Sequence, residues 1–358
     1  MDSSAIEGAT ISLLNTHVRA STDSQGNFSI INLPTGTYIV QVSCIGFAGI
    51  SRVITIENQV EKVLVFKLTE TSGQLEEVIV TAQKAEELLQ KVPVSLTAIL
   101  NKQIQEYRLW TMRDLTGIVP NLFSSNSGDD RNVSSIRGIT STSYDPAVAV
   151  YIDGVNQFSL DTYISQLVDI DRVEVLRGPQ GTLYGRNALG GVINIITRQQ
   201  GYRTQGFTEI TAGNYGQKRY SGGLSNAILK DKVLFGVSGV FNKRTGFYKN
   251  EFNDLPFDNR HSYTGNYFIK YSFNRKWNLH LNIKHLNTRN NGAFPLVIGV
   301  SEAFTKPYSL SQNAVAKMID NTFNASFIVN YKAAKFNFKS QTAYQSNYRY
   351  YDKPLDGD

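Results

Sequence analysis

The chain has 358 residues and a net charge of +6 from 36 basic and 30 acidic side chains, scattered without a dense Lys/Arg cluster, which argues against a nucleic-acid partner. Its length leaves room for two or three domains of roughly 100 to 200 residues each. No run approaches the roughly 18 consecutive apolar residues of a membrane helix, and the lone Cys44 excludes an internal disulfide or a CxxC metal knuckle.

Residues 1–68 read as a small β domain, because GNFSIINLPTGTYIVQVSCIGF and RVITI...KVLVFKL alternate apolar and polar residues between Gly, Pro and Asn turn signals. Cys44 falls in register with Tyr38, Val40 and Val42, as a buried strand residue does. The stretch DSQGNFSIINLPTGTYIVQVSCIGF resembles the carboxypeptidase-regulatory-like domain, a transthyretin-like β-sandwich. That family's usual first strand is missing before EGATISLL, and polar DSSAIEGAT after Met1 shows no secretory signal. The expectation is either an intracellular protein or a domain trimmed at its N-terminus. No HxxE zinc pair occurs; the histidines are His17, His261, His280 and His285.

Residues 69–90 form a linker holding the short β-prone run LEEVIVTAQ and the charged, helix-prone KAEELLQK. A lone strand with acidic residues at its front is a poor core element but a good partner for another protein's sheet edge.

Residues 91–199 read as a mixed α/β domain. VPVSLTAIL predicts a strand and NKQIQEYRL a helix; TMRDLTGIV predicts a second helix, with Thr111 and Asp114 in capping-box spacing and Pro120 ending it. NVSSIRGI, AVAVYIDGV, RVEVLRG and GGVINIIT supply further strands, with Asp153 as a turn residue. The loop GPQGTLYGRNALGG raises the question of a phosphate cradle. A Walker loop needs Lys and Ser/Thr after its last glycine, and here Arg186 and Asn187 follow instead, with a strand beyond. A nucleotide site is therefore not expected. Asp153, Asp169 and Asp171 lack a nucleophile and base in a recognisable arrangement, so enzymatic activity is not expected either.

Residues 200–358 change texture again. Tyr263, Tyr267, Ile269, Tyr271 and Phe273 alternate with polar residues, as do Trp277, Leu279, Leu281 and Ile283, then Phe323, Ala325, Phe327 and Val329, and Phe336, Phe338, Tyr344, Tyr348 and Tyr350. Phe268, Leu286 and Ile328 break the pattern on the polar face. His280 and His285 are five residues apart on one strand and point to opposite faces. Strands of a dozen or so residues exceed the usual five or six and suit a tilted crossing of a bilayer. Their connections alternate between tight (LKDK, NRK, KAAK) and long (TGFYKNEFNDLPFDNRH, and Arg289 to Asn321). About seven strands leave open edges that lipid does not tolerate, so the expectation is a partial barrel cut at its C-terminus.

Taken together, SIRGI at 135–139, VYIDGV at 150–155 and DIDRVEVLRGPQGTLYGRNALGGVINIIT at 169–197 resemble the plug of TonB-dependent outer-membrane receptors. The resemblance covers nearly the whole chain: accessory domain, TonB box, plug and first barrel strands, in the arrangement common among receptors of the Bacteroidetes. It implies a mainly β protein of the outer membrane with its N-terminal domain and box in the periplasm, and partners in TonB with its ExbB/ExbD motor, membrane lipid and an extracellular ligand. It implies TonB binding at Glu76, Glu77, Val78, Ile79, Val80, Thr81 and Ala82. It also implies docking of plug on barrel through Arg137, Gly138, Arg177, Gly178, Gly181, Gly185, Arg186, Gly190 and Gly191, the arginines in buried ion pairs. Loop aromatics Phe247, Tyr248, Phe252, Phe257, Phe294, Phe304 and Tyr308 are candidates to stack on a ligand or to pack their own loops. The glycan-importing SusC-like subgroup carries a different run where this chain has GPQGTLYGRNALGGVI, which favours an iron–siderophore or other metal complex over a glycan. A passive or adhesive barrel is the competing reading, and a signalling receptor a weaker one.

Overall fold

The computed structural model describes every residue except 1–3, 14–17, 45, 48, 58–61, 70–78, 82–83, 85–86, 127, 129, 142–144, 158–165, 199–203, 230–231, 275, 297–298, 334 and 354–358. It divides into two units, Met1–Val78 and Ile79–Asp358. In the first, β1 (Thr10–Leu13), β2 (Arg19–Ser21), β3 (Gly36–Ser43) and β4 (Ile50–Ile56) form an antiparallel sheet in the order β2-β1-β3-β4. Alternation turns Ile11, Leu13, Val40, Val42 and Ile54 into one core. The expected strands around Phe28 and Phe66 keep their alternation, so that Phe28, Ile30, Leu33, Leu64, Phe66 and Leu68 pack onto that core. They do not join the hydrogen-bonded ladder. Side-chain period sets which residues face the core, whereas a strand also needs a partner for its backbone. Cys44 lies one residue past β3 and is half-buried against the same core rather than inside a strand.

The second unit opens with a two-residue pairing, β5 (Ile79–Val80) against β6 (Glu87–Leu88). There follow β7 (Leu96–Leu100), α1 (Asn101–Glu106), a 3-10 turn at Met112–Gly117, β8 (Leu122–Asn126), β9 (Asn132–Ile136), β10 (Val148–Ile152), β11 (Val155–Gln157), β12 (Ile170–Arg177), α2 (Gly181–Tyr184) and β13 (Gly191–Thr197). The second expected helix is thus 3-10. Its first turn is closed by an i to i+3 bond, Asp114 N to Thr111 O at 3.1 Å, and so short a segment takes the tighter form readily. Asp114 caps it by accepting from Thr111 N (2.7 Å) and Trp110 N (2.9 Å). A five-stranded sheet of order β11-β10-β13-β12-β7 is parallel only at β10/β13. Val148, Val150, Val173, Val175, Ile193 and Ile195 pack from it against Ile104, Leu115 and Ile136.

The remainder is a seven-stranded antiparallel sheet, built from β14 (Gln205–Gly213), β15 (Gln217–Ile228), β16 (Val233–Arg244), β19 (Asn259–Ser272), β20 (Trp277–Asn291), β22 (Lys317–Lys332) and β23 (Asn337–Tyr351) in sequence order. Its long connections carry β17 (Lys249–Asn250), β18 (Leu255–Pro256), α3 (Val300–Thr305) and β21 (Ser309–Leu310). The strands run further than their aromatic pattern suggests. β20 continues to Asn291 and β22 begins at Lys317, so the connection expected from Arg289 to Asn321 shrinks to residues 292–316. Polar Thr288, Asn290 and Asp320 extend the buried face and keep the register, Thr288 opposite Asp320.

Burial in this sheet is inverted. Tyr263, Tyr267, Phe273, Phe338, Tyr344 and Tyr348 are exposed, while Ser238, Thr264, Asn266, His280, Asn282, Lys284, Asn324 and Ser326 are buried. That is the alternation of a sheet with lipid on one side. Phe268, Leu286 and Ile328, apolar on the polar face, are all buried, and Leu286 belongs to the core of the five-stranded sheet's domain. They break the pattern because that face is covered by protein.

Candidate functional site

Of the expected TonB-binding run, Ile79, Val80 and Thr81 are described; Glu76, Glu77, Val78 and Ala82 lie outside the described residues. Val80 is fully buried. Thr81 donates to the Glu174 carboxylate through its N–H (2.8 Å to Oε1) and its hydroxyl (3.2 Å). Glu174, itself fully buried on β12, also accepts from Arg172 Nε (2.8 Å) and from Asn194 Nδ2 (3.1 Å) on the neighbouring β13. A buried carboxylate is tolerable only with such a ring of donors. Among the described residues, Thr81 thus ties the segment to a group that is costly to strip, and its hydroxyl also accepts from Asn194 Nδ2 (3.3 Å).

The glycine loop behaves partly as its composition suggests. Gly138, Gly178, Gly185 and Gly191 have positive φ, which other residues rarely adopt. Gly191 leaves no room for a Cβ, which would stand 2.2 Å from Leu176 O. Gly190 lies tightly against Ile139, and Gly181 opens α2 with open space around it. These close approaches are inside the plug sheet and its loops, not against the seven-stranded wall. Of the expected docking arginines, Arg137 and Arg186 are exposed and Arg177 is half-buried, so none is among the buried groups of the seam between plug and wall strands.

That seam is made by other residues. Asp153 and Gly154 form the two-residue turn of the β10–β11 hairpin, both with positive φ. Asp153 Oδ2 meets Lys284 Nζ of β20 at 2.5 Å, with the side chains only 4% and 8% exposed. Thr197 holds the same carboxylate through its N–H (2.8 Å) and hydroxyl (2.7 Å). Burial alone raises the Asp153 carboxyl, but the Lys284 ammonium and the Thr197 donors outweigh it and hold it below the ordinary range. Gln341 Nε2 of β23 donates to the Asp153 carbonyl (3.0 Å) and Asn324 Nδ2 of β22 to Gln157 Oε1 (2.9 Å). Asp153 is thus a turn residue, as expected, and an anchor as well. Sequence reasoning missed Lys284, Gln341 and Asn324; a lysine on the polar face in mid-strand was the available signal.

At the end of the sheet where the long connections lie, the plug loop around Gly128 meets the wall. Phe294 N donates to Gly128 O (2.9 Å), and Asp130 pairs with Arg260. Arg349 pairs with Asp320 at 2.6 Å across the β22/β23 register. A half-open pocket lies among Thr111, Asn126, Asn132, Gln166, Ser262, Thr288 and the charged Arg113, Asp130, Arg131, Arg260, Asp320 and Arg349. None of the seven candidate aromatics lines it. Phe257 is fully buried, packed where a side chain on Gly292 would clash, and so takes the loop-packing role. Tyr248 and Phe294 are half-buried, with rings against Tyr308 (6.0 Å) and Tyr351 (6.1 Å). Phe247, Phe252, Phe304 and Tyr308 are exposed. His280 is buried beside Phe268 while His285 stacks on Tyr267, so the two do not converge.

Comparison with known proteins gives this geometry a family. Residues 88–192 match the TonB-dependent receptor plug domain, and residues 1–80 the CarboxypepD_reg-like domain. The pesticin receptor of Yersinia pestis is 38% identical over 146 residues, 40% of this chain and 21% of the receptor. The vitamin B12 transporter BtuB of Vibrio vulnificus is 34% identical over 176 residues, 48% of this chain and 28% of the transporter. The crystal structure of the ferric yersiniabactin uptake receptor FyuA from Yersinia pestis superposes with a TM-score of 0.68 at 26% identity, over 74% of this chain and 42% of that one. The chain thus spans less than half the length of the relatives it matches. These relatives are named as receptors and a transporter, not as enzymes. With a matched plug seated against an inside-out antiparallel sheet, the chain carries the plug domain of TonB-dependent receptors and shares the fold of a solved uptake receptor over three quarters of its length.

Proposed function

We propose that the protein imports a scarce ligand across the outer membrane, drawing on TonB and its ExbB/ExbD motor, and that the ligand is an iron–siderophore or similar metal complex. The observation that carries the import reading is the β5 segment: a two-residue pairing plus the Thr81–Glu174 contacts hold it to the plug. In this reading Glu76 to Ala82 add to TonB as a strand, whose main-chain hydrogen bonds supply the affinity. Force on that strand then reaches β12 through Glu174. Arg137 and Arg177, exposed and half-buried against the described strands, keep a docking role in this proposal only toward groups beyond them.

The detergent-solubilised protein retains the periplasmic domain of TonB on a column, and deletion of residues 76–82 abolishes retention. Retention by the deletion variant refutes energised import through this segment and leaves a passive or adhesive barrel. For the ligand, the relatives named for ferric yersiniabactin and vitamin B12 support a metal complex. Transcript induction by iron starvation is the expected result. Induction by one polysaccharide with iron replete marks the protein as a glycan importer instead.

A further inference from the structure

We propose that the outward face of the wall carries a docking row for the phosphate groups of anionic lipids, at the end where the long connections leave the sheet. Strand register sets the row. Lys218 of β15 stands opposite Lys243 of β16, Lys243 opposite His261 of β19, and His261 opposite Arg289 of β20. Lys218 and Lys243 are exposed, His261 and Arg289 half-buried. Two residues along each strand lies the next outward row, Tyr220, Phe241, Tyr263 and Asn287. Its first three rings touch in sequence, with centres 6.2 Å apart for Tyr220 and Phe241 and 4.7 Å for Phe241 and Tyr263.

Two observations set this row apart from ordinary solvated charge. Cβ atoms directly opposite on paired strands lie about 4.5 to 5.5 Å apart, so like charges there destabilise the sheet. Yet none of the four side chains forms an ion pair among the described residues. Arg289 donates only to neutral groups, the Thr288 carbonyl (2.9 Å) and Asn321 Oδ1 (2.8 Å). Lys317 of β22 faces the same way but has an acid beside it, Asp352, which accepts from its backbone N–H (2.7 Å). The second observation concerns the face as a whole. On all seven strands the side that carries Ile210, Tyr220, Phe241, Tyr263, Leu281, Phe323 and Tyr344 holds no Asp or Glu. At the tight-turn end the matching row is Trp277, Tyr331 and Phe338, aromatic and uncharged.

Cations without acids are thus confined to one end of the lipid-facing surface. Tyrosine rings mark the headgroup level of a bilayer, and two residues along a strand span about 7 Å. That step carries Lys218, Lys243 and Arg289 from the ring row to the depth of lipid phosphates. Lysine stems lie along apolar surface while their ammonium groups reach outward, and the Arg289 guanidinium matches phosphate oxygens. A phosphate between neighbouring strands relieves the repulsion that the ladder otherwise bears.

The test is retention of lipid by the full-length, detergent-solubilised protein through gel filtration, quantified by mass spectrometry of the extracted lipid. The probes are bis-phosphorylated lipid A, the same lipid with its phosphates removed, and inorganic phosphate as a competitor. Retention of lipid A is expected to exceed that of the dephosphorylated lipid by roughly tenfold, the difference shrinking in high salt as charge is screened. Lys218→Gln combined with Lys243→Gln is expected to remove most of that difference, Lys243→Arg to keep it, and Lys276→Gln, at the tight-turn end, to leave it unchanged. Both substituted lysines of the double variant are exposed, and its thermal midpoint without lipid should be equal or higher, since a like-charge pair is gone. Equal retention of the two lipids, or indifference to the double variant, overturns the row. Displacement of lipid A by millimolar inorganic phosphate overturns the lipid assignment and leaves a site for small anions. Deletion of residues 76–82 alters none of these results, so the import reading stands or falls separately.

Discussion

The two large sheets of the Ile79–Asp358 unit bury opposite kinds of side chain. The five-stranded plug sheet hides Val150, Val173, Val175 and Ile193. The seven-stranded sheet hides Asn266, Asn282, Lys284 and Asn324 and shows Tyr263, Phe273, Phe338 and Tyr344 to its surroundings. The wall strands β20 and β22 alternate buried with more exposed residues, with hydrocarbon on the far side, whereas the central plug strands β10 and β13 are buried at nearly every position. Where the sheets meet, the contact is therefore largely polar, with charges that must be paired across it.

The largest effect should come from unpairing that seam. Lys284→Met leaves the Asp153 carboxylate buried and is expected to cost about 3 to 5 kcal/mol, read as a lowered denaturant midpoint and faster proteolysis of the plug. Adding Asp153→Asn should recover part of the loss; no recovery would mean that Lys284 acts by packing alone. Reversing the wall's polarity comes next. Leu281→Arg, on the exposed apolar face, should destabilise the sheet in lipid vesicles by roughly 2 to 4 kcal/mol, and a neutral outcome would break the assignment of that face to lipid.

Acid should loosen the seam in a defined direction. The folded Asp153 carboxyl lies below its ordinary value, so its contribution is fully present above the unfolded value of about 3.9 and is lost as pH falls through the lower folded value. Protease protection of the plug should hold at pH 5 and fail only in strong acid, while Asp153→Asn flattens this dependence. The smallest change is expected from Asp114→Ala, which removes the cap from Thr111 N and Trp110 N. About 1 kcal/mol should be lost from the plug alone, with the wall's unfolding unaltered.

The sequence by itself determined the alternation of Tyr263 to Phe273 and Phe323 to Tyr331, the turn at Asp153 and the strand beyond the glycine loop, because each follows from local chemistry repeated along the chain. It marked Phe268, Leu286 and Ile328 as exceptions without saying why. Only the tertiary structure decided that these are buried, Leu286 within the plug core, that Lys284 pairs with the buried Asp153 carboxylate, and that Phe257 packs its own loop. Asp153 and Lys284 are separated by 131 residues, as are Gly128 and Phe294 by a comparable span. No periodicity reaches so far: which charges meet depends on sheet register and on where the plug rests, and both are set by packing of the whole unit.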